Sequence, residues 1–180
     1  MRGVEETWGI GADGRAFSRE AFFVRGARLP DDPEPLLREL DRRYYRWIPR
    51  LTGELVAIMK REGGGQAAQV VELGPTGLLL GPVRIERSPL RVERSIKGGW
   101  LVAEESGSLG QELVPREGGV EAAVHLRAFA PRLFSLPLGA LLYDLTQEAI
   151  HRRLSRAYLR HDVAPLLRSL ACSSSTRTPT

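Results

Sequence analysis

Cysteine is almost absent from this 180-residue chain. Cys172 stands alone, so no internal disulfide can form, and a cytoplasmic location is the expectation for such a chain. Asparagine is missing altogether, which excludes N-linked glycosylation and any catalytic arrangement built on an asparagine side chain. No run approaches the ~18 consecutive apolar residues of a membrane span, so no integral membrane segment is expected. The opening stretch, MRGVEETWGIGADGR, puts no apolar core behind Arg2 and does not read as a secretory signal. Lysine is nearly as scarce: of 26 basic residues only Lys60 and Lys97 are lysine, the rest being arginine.

The motifs of common chemistries are missing too. Gly74-Pro75-Thr76-Gly77 and Gly81-Pro82 have no following lysine to reach a phosphate. Glu105-Ser106-Gly107-Ser108 is a turn between strands, not a nucleophile elbow. His125, His151 and His161 have no cysteine pair and no His-x-x-x-His spacing, so neither a metal nor another cofactor is expected. Cys172, beside a Ser/Thr-rich tail, reads as a free thiol.

What is present is the composition of a globular protein, 42% hydrophobic and 27% charged. The net charge of +4 and a pI near 9.7 invite a nucleic-acid partner. However, the arginines are dispersed among glutamates, as in Arg84-Ile85-Glu86-Arg87 and Arg91-Val92-Glu93-Arg94, which suits bidentate surface ion pairs. Arg152, Arg153, Arg156, Arg160 and His161 are the densest group, on one helix. A solvated face is the first reading of that group, and an anionic partner, nucleic acid or membrane surface, is the second.

Residues 1–14 are Gly-rich and read as a flexible leader, residues 15–170 as a single domain, and residues 171–180 as a disordered tail. In the leader Asp13-Gly14 signals a turn. Phe22 and Val24 alternate with Phe23 and Arg25 in a first strand. Asp32-Pro33 then caps a helix on which Leu36, Leu37, Leu40, Tyr44 and Trp47 share a face. Pro49 predicts a break, with Leu51, Leu55, Val56 and Met59 continuing as a second short helix. From Gln66 the period changes to two, with strands over 70–73, 78–85, 90–96, 100–105, 109–114 and 120–128 joined by short turns. The last has the cleanest alternation: Val120, Ala122, Val124, Leu126 and Ala128 inward, with Glu121, His125 and Arg127 outward and exposed. A long final helix starts near Leu138, with Leu138, Leu141, Leu142, Leu145 and Ala149 on one face and Ile150, Leu154 and Tyr158 on another. The second face is covered either by a fold-back of Val163–Leu170 or by a partner subunit, which leaves a homodimer open.

The expected architecture is therefore α+β. A curved antiparallel sheet of about seven strands wraps a long C-terminal helix, with two short helices after strand 1. This element order, with Pro33 and Trp47-Ile48-Pro49 in the helical pair, Gly98-Gly99-Trp100 through Glu105-Ser106-Gly107, and the Leu138-to-Tyr158 helix, resembles the START/polyketide-cyclase-like superfamily (SRPBCC, the helix-grip fold). The likeness spans Ala16 to Tyr158. It implies binding of a lipid-, polyketide- or hormone-like molecule between sheet and helix, in some members with cyclisation or dehydration there.

The residues point to the polar lining of such a site. If Leu90, Val92 and Ile96 face inward, so does Arg94, and its charge then needs a carboxylate or an anionic ligand group. Glu104 and Glu105 are the nominated partners, and the only strand carboxylates nominated for acid–base work. Gln111 shares the inner face with Leu109 and Leu113. Trp47, Trp100 and Tyr143, with Tyr44, offer apolar surface with one hydrogen-bonding tip. Two readings of Arg94 stand: a structural Arg–Glu pair, and an anchor for the polar end of an apolar or amphipathic ligand.

Overall fold

Val120, Ala122, Val124 and Leu126 are buried as their alternation requires, none above 9% exposure, and they lie at the centre of the sheet. The computed structural model describes residues 3–51, 56–63, 66–73, 78–95, 107–130 and 149–174. In chain order these form β1 (Glu5–Ile10), β2 (Ala16–Arg25), α1 (Glu34–Leu51), β3 (Val56–Gly63), β4 (Gln66–Leu73), β5 (Leu78–Ser88), β6 (Arg91–Ser95), β7 (Ser108–Arg116), β8 (Gly119–Phe129) and α2 (Ala149–Tyr158). A π-helical turn at Leu159–Val163 leads from α2 into α3 (Ala164–Ser174).

The described strands make one antiparallel sheet in the order β1-β2-β8-β7-β6-β5-β4-β3. After β2 the chain passes through α1 to the opposite edge, then meanders back until β8 closes on β2. Asp32 caps α1 as expected, accepting the Glu34 N–H at 3.2 Å. Leu37, Leu40 and Tyr44 of α1 pack with Leu154, Tyr158, Leu159, Val163 and Leu167 of the C-terminal helices and with the inner sheet face.

Three expectations change. Residues 5–10 of the supposed leader form edge strand β1, paired from Glu5↔Ala21 to Ile10↔Ala16. The second short helix does not exist: α1 runs through Pro49 to Leu51, and residues 56–63 form a strand paired with β4 from Val56↔Leu73 to Gly63↔Gln66. The apolar spacing of Leu51, Leu55 and Met59 fits a helix, but Val56 and Ile58 are β-branched, which favours a strand. The described strands thus number eight, against an expected seven. The predicted strand over 100–105 and the helical start over 138–148 lie outside the described residues.

The second face of the final helix has an intramolecular cover, and Val163–Leu170 does not fold back. Helix continues through the π turn, where the Ala164 N–H donates to the Leu159 carbonyl. That wider turn takes up one extra residue. The buried stripe can therefore step from Leu154 and Tyr158 to Leu159, Val163 and Leu167 while staying on the core. Residues 171–174 of the expected tail belong to α3.

Candidate functional site between sheet and helices

Because side chains alternate across a strand, β2, β6, β7 and β8 present two distinct faces. Register fixes which residues share the inner one. Glu20 pairs with Val124, Gln111 with Val124, Val92 with Gln111, and Arg94 with Leu109. Ser18, Glu20, Arg94 and Gln111 therefore face the helices, and all are buried.

Arg94 is inward as its alternation demands, 2% exposed. Its described carboxylate is not on a neighbouring strand. Arg94 Nη2 donates to both oxygens of Asp41 on α1, at 2.5 Å to Oδ2. The guanidinium also lies 4.6 Å from the centre of the Tyr45 ring. Gln111 Nε2 donates to Asp41 Oδ1 at 3.3 Å, and Tyr158 Oη donates to Gln111 Oε1 at 2.9 Å. Burial, with the Asp41 charge adding to it, pushes the Tyr158 hydroxyl well above its ordinary range, so it remains a donor at every accessible pH. The result is a relay from α2 through β7 to α1 and β6. Beside it, Leu37, Leu40, Gln111 and Tyr158 border an enclosed space of about 10 Å³, enough for one water at most.

Glu104, Glu105, Trp100 and Tyr143 lie outside the described residues. Trp47 is half-buried and fastens two helices. Its Nε1–H donates to Asp162 in the π turn, and its ring stacks on His161 with centroids 5.8 Å apart.

Sequence reasoning missed Asp41 and Glu20. Asp41 is one turn from Leu37 and three residues before Tyr44, so it sits within the apolar arc of α1 and faces the sheet. Glu20 has the parity of Phe22 and Val24, which was the available signal. It is fully buried, its nearest ionic neighbour being His151 Nε2 at 3.4 Å. Among the described residues neither Glu20 oxygen finds a hydrogen-bond partner, and the same holds for Ser18 Oγ.

The outer face carries a second network. His125 points outward as expected but is buried, only 1% exposed, a correction to the exposed position read from alternation. It lies across Gly110, where a Cβ would collide with His125 Nε2 and Glu93 Oε2. Because position 110 is glycine, the imidazole can lie flat across β7 and reach β6, where Nε2 is 2.9 Å from Glu93 Oε2. Glu93 also accepts from Ser108 Oγ and from Arg91 Nε and Nη2, at 2.9 and 2.7 Å. Burial would raise the Glu93 carboxyl, but the hydrogen bonds from Ser108, His125 and Arg91 outweigh it and hold it at about 2. Burial lowers His125 below its ordinary value, against the pull of Glu93.

Among the described residues no cluster of three or more His, Cys, Asp or Glu could hold a metal ion, and no helix is long and apolar enough to cross a membrane.

No protein-family profile matches the chain, and no curated protein sequence does. Solved structures do. Ara h 8.0201 superposes with a TM-score of 0.46 at 19% identity, over 87% of this chain and 99% of that one. A START superfamily protein from Mycobacterium smegmatis gives 0.44 at 14%, over 84% and 98%. The di-domain ARO/CYC StfQ of the steffimycin biosynthetic pathway gives 0.45 at 16%, over 79% of this chain and 50% of that one. Each match is partial, and none says what this chain binds. Two N-terminal strands, α1, six further strands and C-terminal helices over the inner face of one antiparallel sheet give the chain a helix-grip arrangement.

Proposed function

We propose that the chain binds a mostly apolar small molecule between the inner sheet face and the C-terminal helices. The observation that supports this is a concentration of polar groups where a purely structural core has none. Ser18, Glu20, Arg94 and Gln111 from the sheet face Asp41, Tyr44, Ser155 and Tyr158 from the helices, all buried. Apolar residues of similar volume would stabilise such a core as well or better. A binding protein, by contrast, needs a few placed polar groups within apolar walls. The described core is closely filled, so loading shifts the helices against the sheet. The Arg94–Asp41–Gln111–Tyr158 relay, tied together by hydrogen bonds, serves as a rigid floor. Arg94, Gln111, Trp47, Trp100, Tyr143, Glu104 and Glu105 remain the nominated lining.

A cyclase- or dehydratase-type activity is the finer form of this proposal. It needs a titrating group within reach of the substrate, and Tyr158, held protonated with its proton given to Gln111 Oε1, is not one. The rival reading, docking of the Arg-rich helix on nucleic acid or an anionic membrane, loses two of its arginines: Arg152 and Arg156 both pair with Glu6 of β1.

Native mass spectrometry of freshly purified protein, followed by titration with apolar fluorescent probes at two ionic strengths, tests the proposal. A co-purified apolar molecule, or probe binding that hardly changes with salt, is the expected result. Neglect of all apolar probes together with tight, steeply salt-dependent nucleic-acid binding overturns it.

A further inference from the structure

Buried polar atoms without hydrogen bonds are rare in folded proteins, and each calls for a physical reason. Here several converge. Ser18 Oγ, both Glu20 carboxylate oxygens, Tyr44 Oη, His151 Nε2 and Ser155 Oγ are all buried without a hydrogen-bond partner among the described residues. Ser18 and Glu20 are two apart on β2 and share its inner face. His151 and Ser155 are four apart on α2 and share the helix face above. Tyr44 reaches in from α1, its phenol directed at Ser155 and close enough to feel the Glu20 charge. His151 Nε2 stands 3.4 Å from Glu20 Oε2, too far for a strong bond. The imidazole is 15% exposed, whereas Glu20 is fully enclosed. His151 is therefore the door between the carboxylate and the outside.

The contrast with Arg94 determines what this group would accept. Arg94 is answered by Asp41, and Asp41 also accepts from Gln111. Glu20 has no such answer among the described residues: its two oxygens are acceptors with nothing there donated to them, and the hydroxyls around it can accept as readily as donate. An anionic head group brought here would meet a carboxylate, whereas a donor would find lone pairs already in place.

We propose that Glu20, with Ser18, Tyr44, His151 and Ser155 around it, is the subsite for a hydrogen-bond-donating head group of the apolar ligand, an ammonium in preference to a hydroxyl. The subsite rests on the binding function proposed above. The head group displaces the His151 imidazole, whose ring nitrogen holds the place of the donor, and takes up the Glu20 oxygens and neighbouring hydroxyls. A charge-assisted bond of this kind is stronger than one to a neutral donor.

Three probes with the same chain and different heads, decylammonium, decanol and decanoate, distinguish the possibilities by calorimetric titration of the full chain at neutral pH. The wild-type protein should bind decylammonium about tenfold or more tighter than decanol, with decanoate weakest. In Glu20→Gln the ratio of decylammonium to decanol affinity should collapse to within about twofold. His151→Ala, at a partly exposed position, should strengthen decylammonium binding several-fold by removing the competing group. Equal affinity for decylammonium and decanoate, or a preference that survives in Glu20→Gln, overturns the subsite while leaving the binding function standing. If Glu20→Gln fails to fold, unchanged decylammonium affinity in His151→Ala overturns it instead. Failure of all three probes to bind the wild-type protein sinks the binding function and the subsite with it.

Discussion

The two faces of β6, β7 and β8 carry similar charges and put them to opposite uses. On the inner face Arg94 and Asp41, 2% and 8% exposed at their side chains, are shut away from water. On the outer face Arg91 and Glu93, at 40% and 16%, keep partial contact with it. Both are arginine–carboxylate pairs, and both sit beside an uncharged partner from the next strand, Gln111 within and Ser108 without. A dry pair is worth little against an apolar substitute yet ruinous to break, because the remaining charge is stranded. A half-wet pair contributes modestly and responds to pH and salt. Alternation along one strand thus yields a fixed internal brace at Arg94 and an adjustable external one at Glu93, one residue apart.

The largest effect should come from breaking the inner brace. Arg94→Met takes the guanidinium away from the buried Asp41 carboxylate and should cost about 3–5 kcal/mol in chemical denaturation. Adding Asp41→Leu to it should recover most of that loss. If Arg94→Met melts like the wild-type protein, the inner pair is no brace. Next comes the outer face. His125→Asp removes the bond to Glu93 and puts a second carboxylate beside it in a buried position, an expected loss of about 2 kcal/mol by thermal melting. The exposed position inferred from alternation would make it harmless, so the size of this loss measures how far outward and exposed differ here.

A smaller effect follows from acid. The Glu93 carboxyl sits at about 2 in the folded protein, below its ordinary value, so the unfolded chain binds the proton more readily. Its contribution is present in full above about pH 4.5 and is lost as pH falls toward 2. Partial solvation holds this contribution to about 1–2 kcal/mol. His125, also depressed, acts with the same sign, favouring the fold above its ordinary value of about 6.5 and disfavouring it below. Denaturation midpoints of wild type and Glu93→Gln, compared from pH 7 down to pH 3, should converge, and parallel curves would deny Glu93 this role. The smallest effect is spectroscopic. In Glu93→Gln the His125 imidazole loses the partner that raises it, so its NMR titration midpoint should move further down, and an upward shift would reverse the assignment of causes.

Much of this contrast is legible in the sequence. Strict alternation with Val92 puts Arg94 inside, and the same logic puts Val124 inside and His125 outside. What alternation cannot convey is burial on the outer face. His125 is covered because the residue opposite it across the ladder is Gly110 and a carboxylate waits one strand further, a two-dimensional coincidence absent from any single strand. The carboxylate for Arg94 was sought nearby in sequence, at Glu104 and Glu105, whereas Asp41 is 53 positions away on α1 and looks like the polar margin of an amphipathic helix. Residues 51–59 misled for another reason. Their apolar spacing satisfies a helix, and only the strand partner beyond the glycines decides otherwise. Glu20 was readable from its parity with Phe22 and Val24, but a single acidic residue in an apolar strand carries no sign of what faces it.

The pairing of β2 with β8 has a consequence for how the chain is made. Its register runs from Arg25↔Gly119 to Ala16↔Phe129, so β2 cannot find its inner neighbour until roughly a hundred more residues have been synthesised. At ordinary synthesis rates that wait is about 5–20 s, during which Phe22 and Val24 lack the completed sheet and the C-terminal helices that cover them. Closing so long a loop is also the slow kind of step for a folding chain. The hairpin of β1 and β2, with its exposed Trp8, Ile10 and Phe17, therefore waits with its inner face uncovered while the rest of the sheet is made.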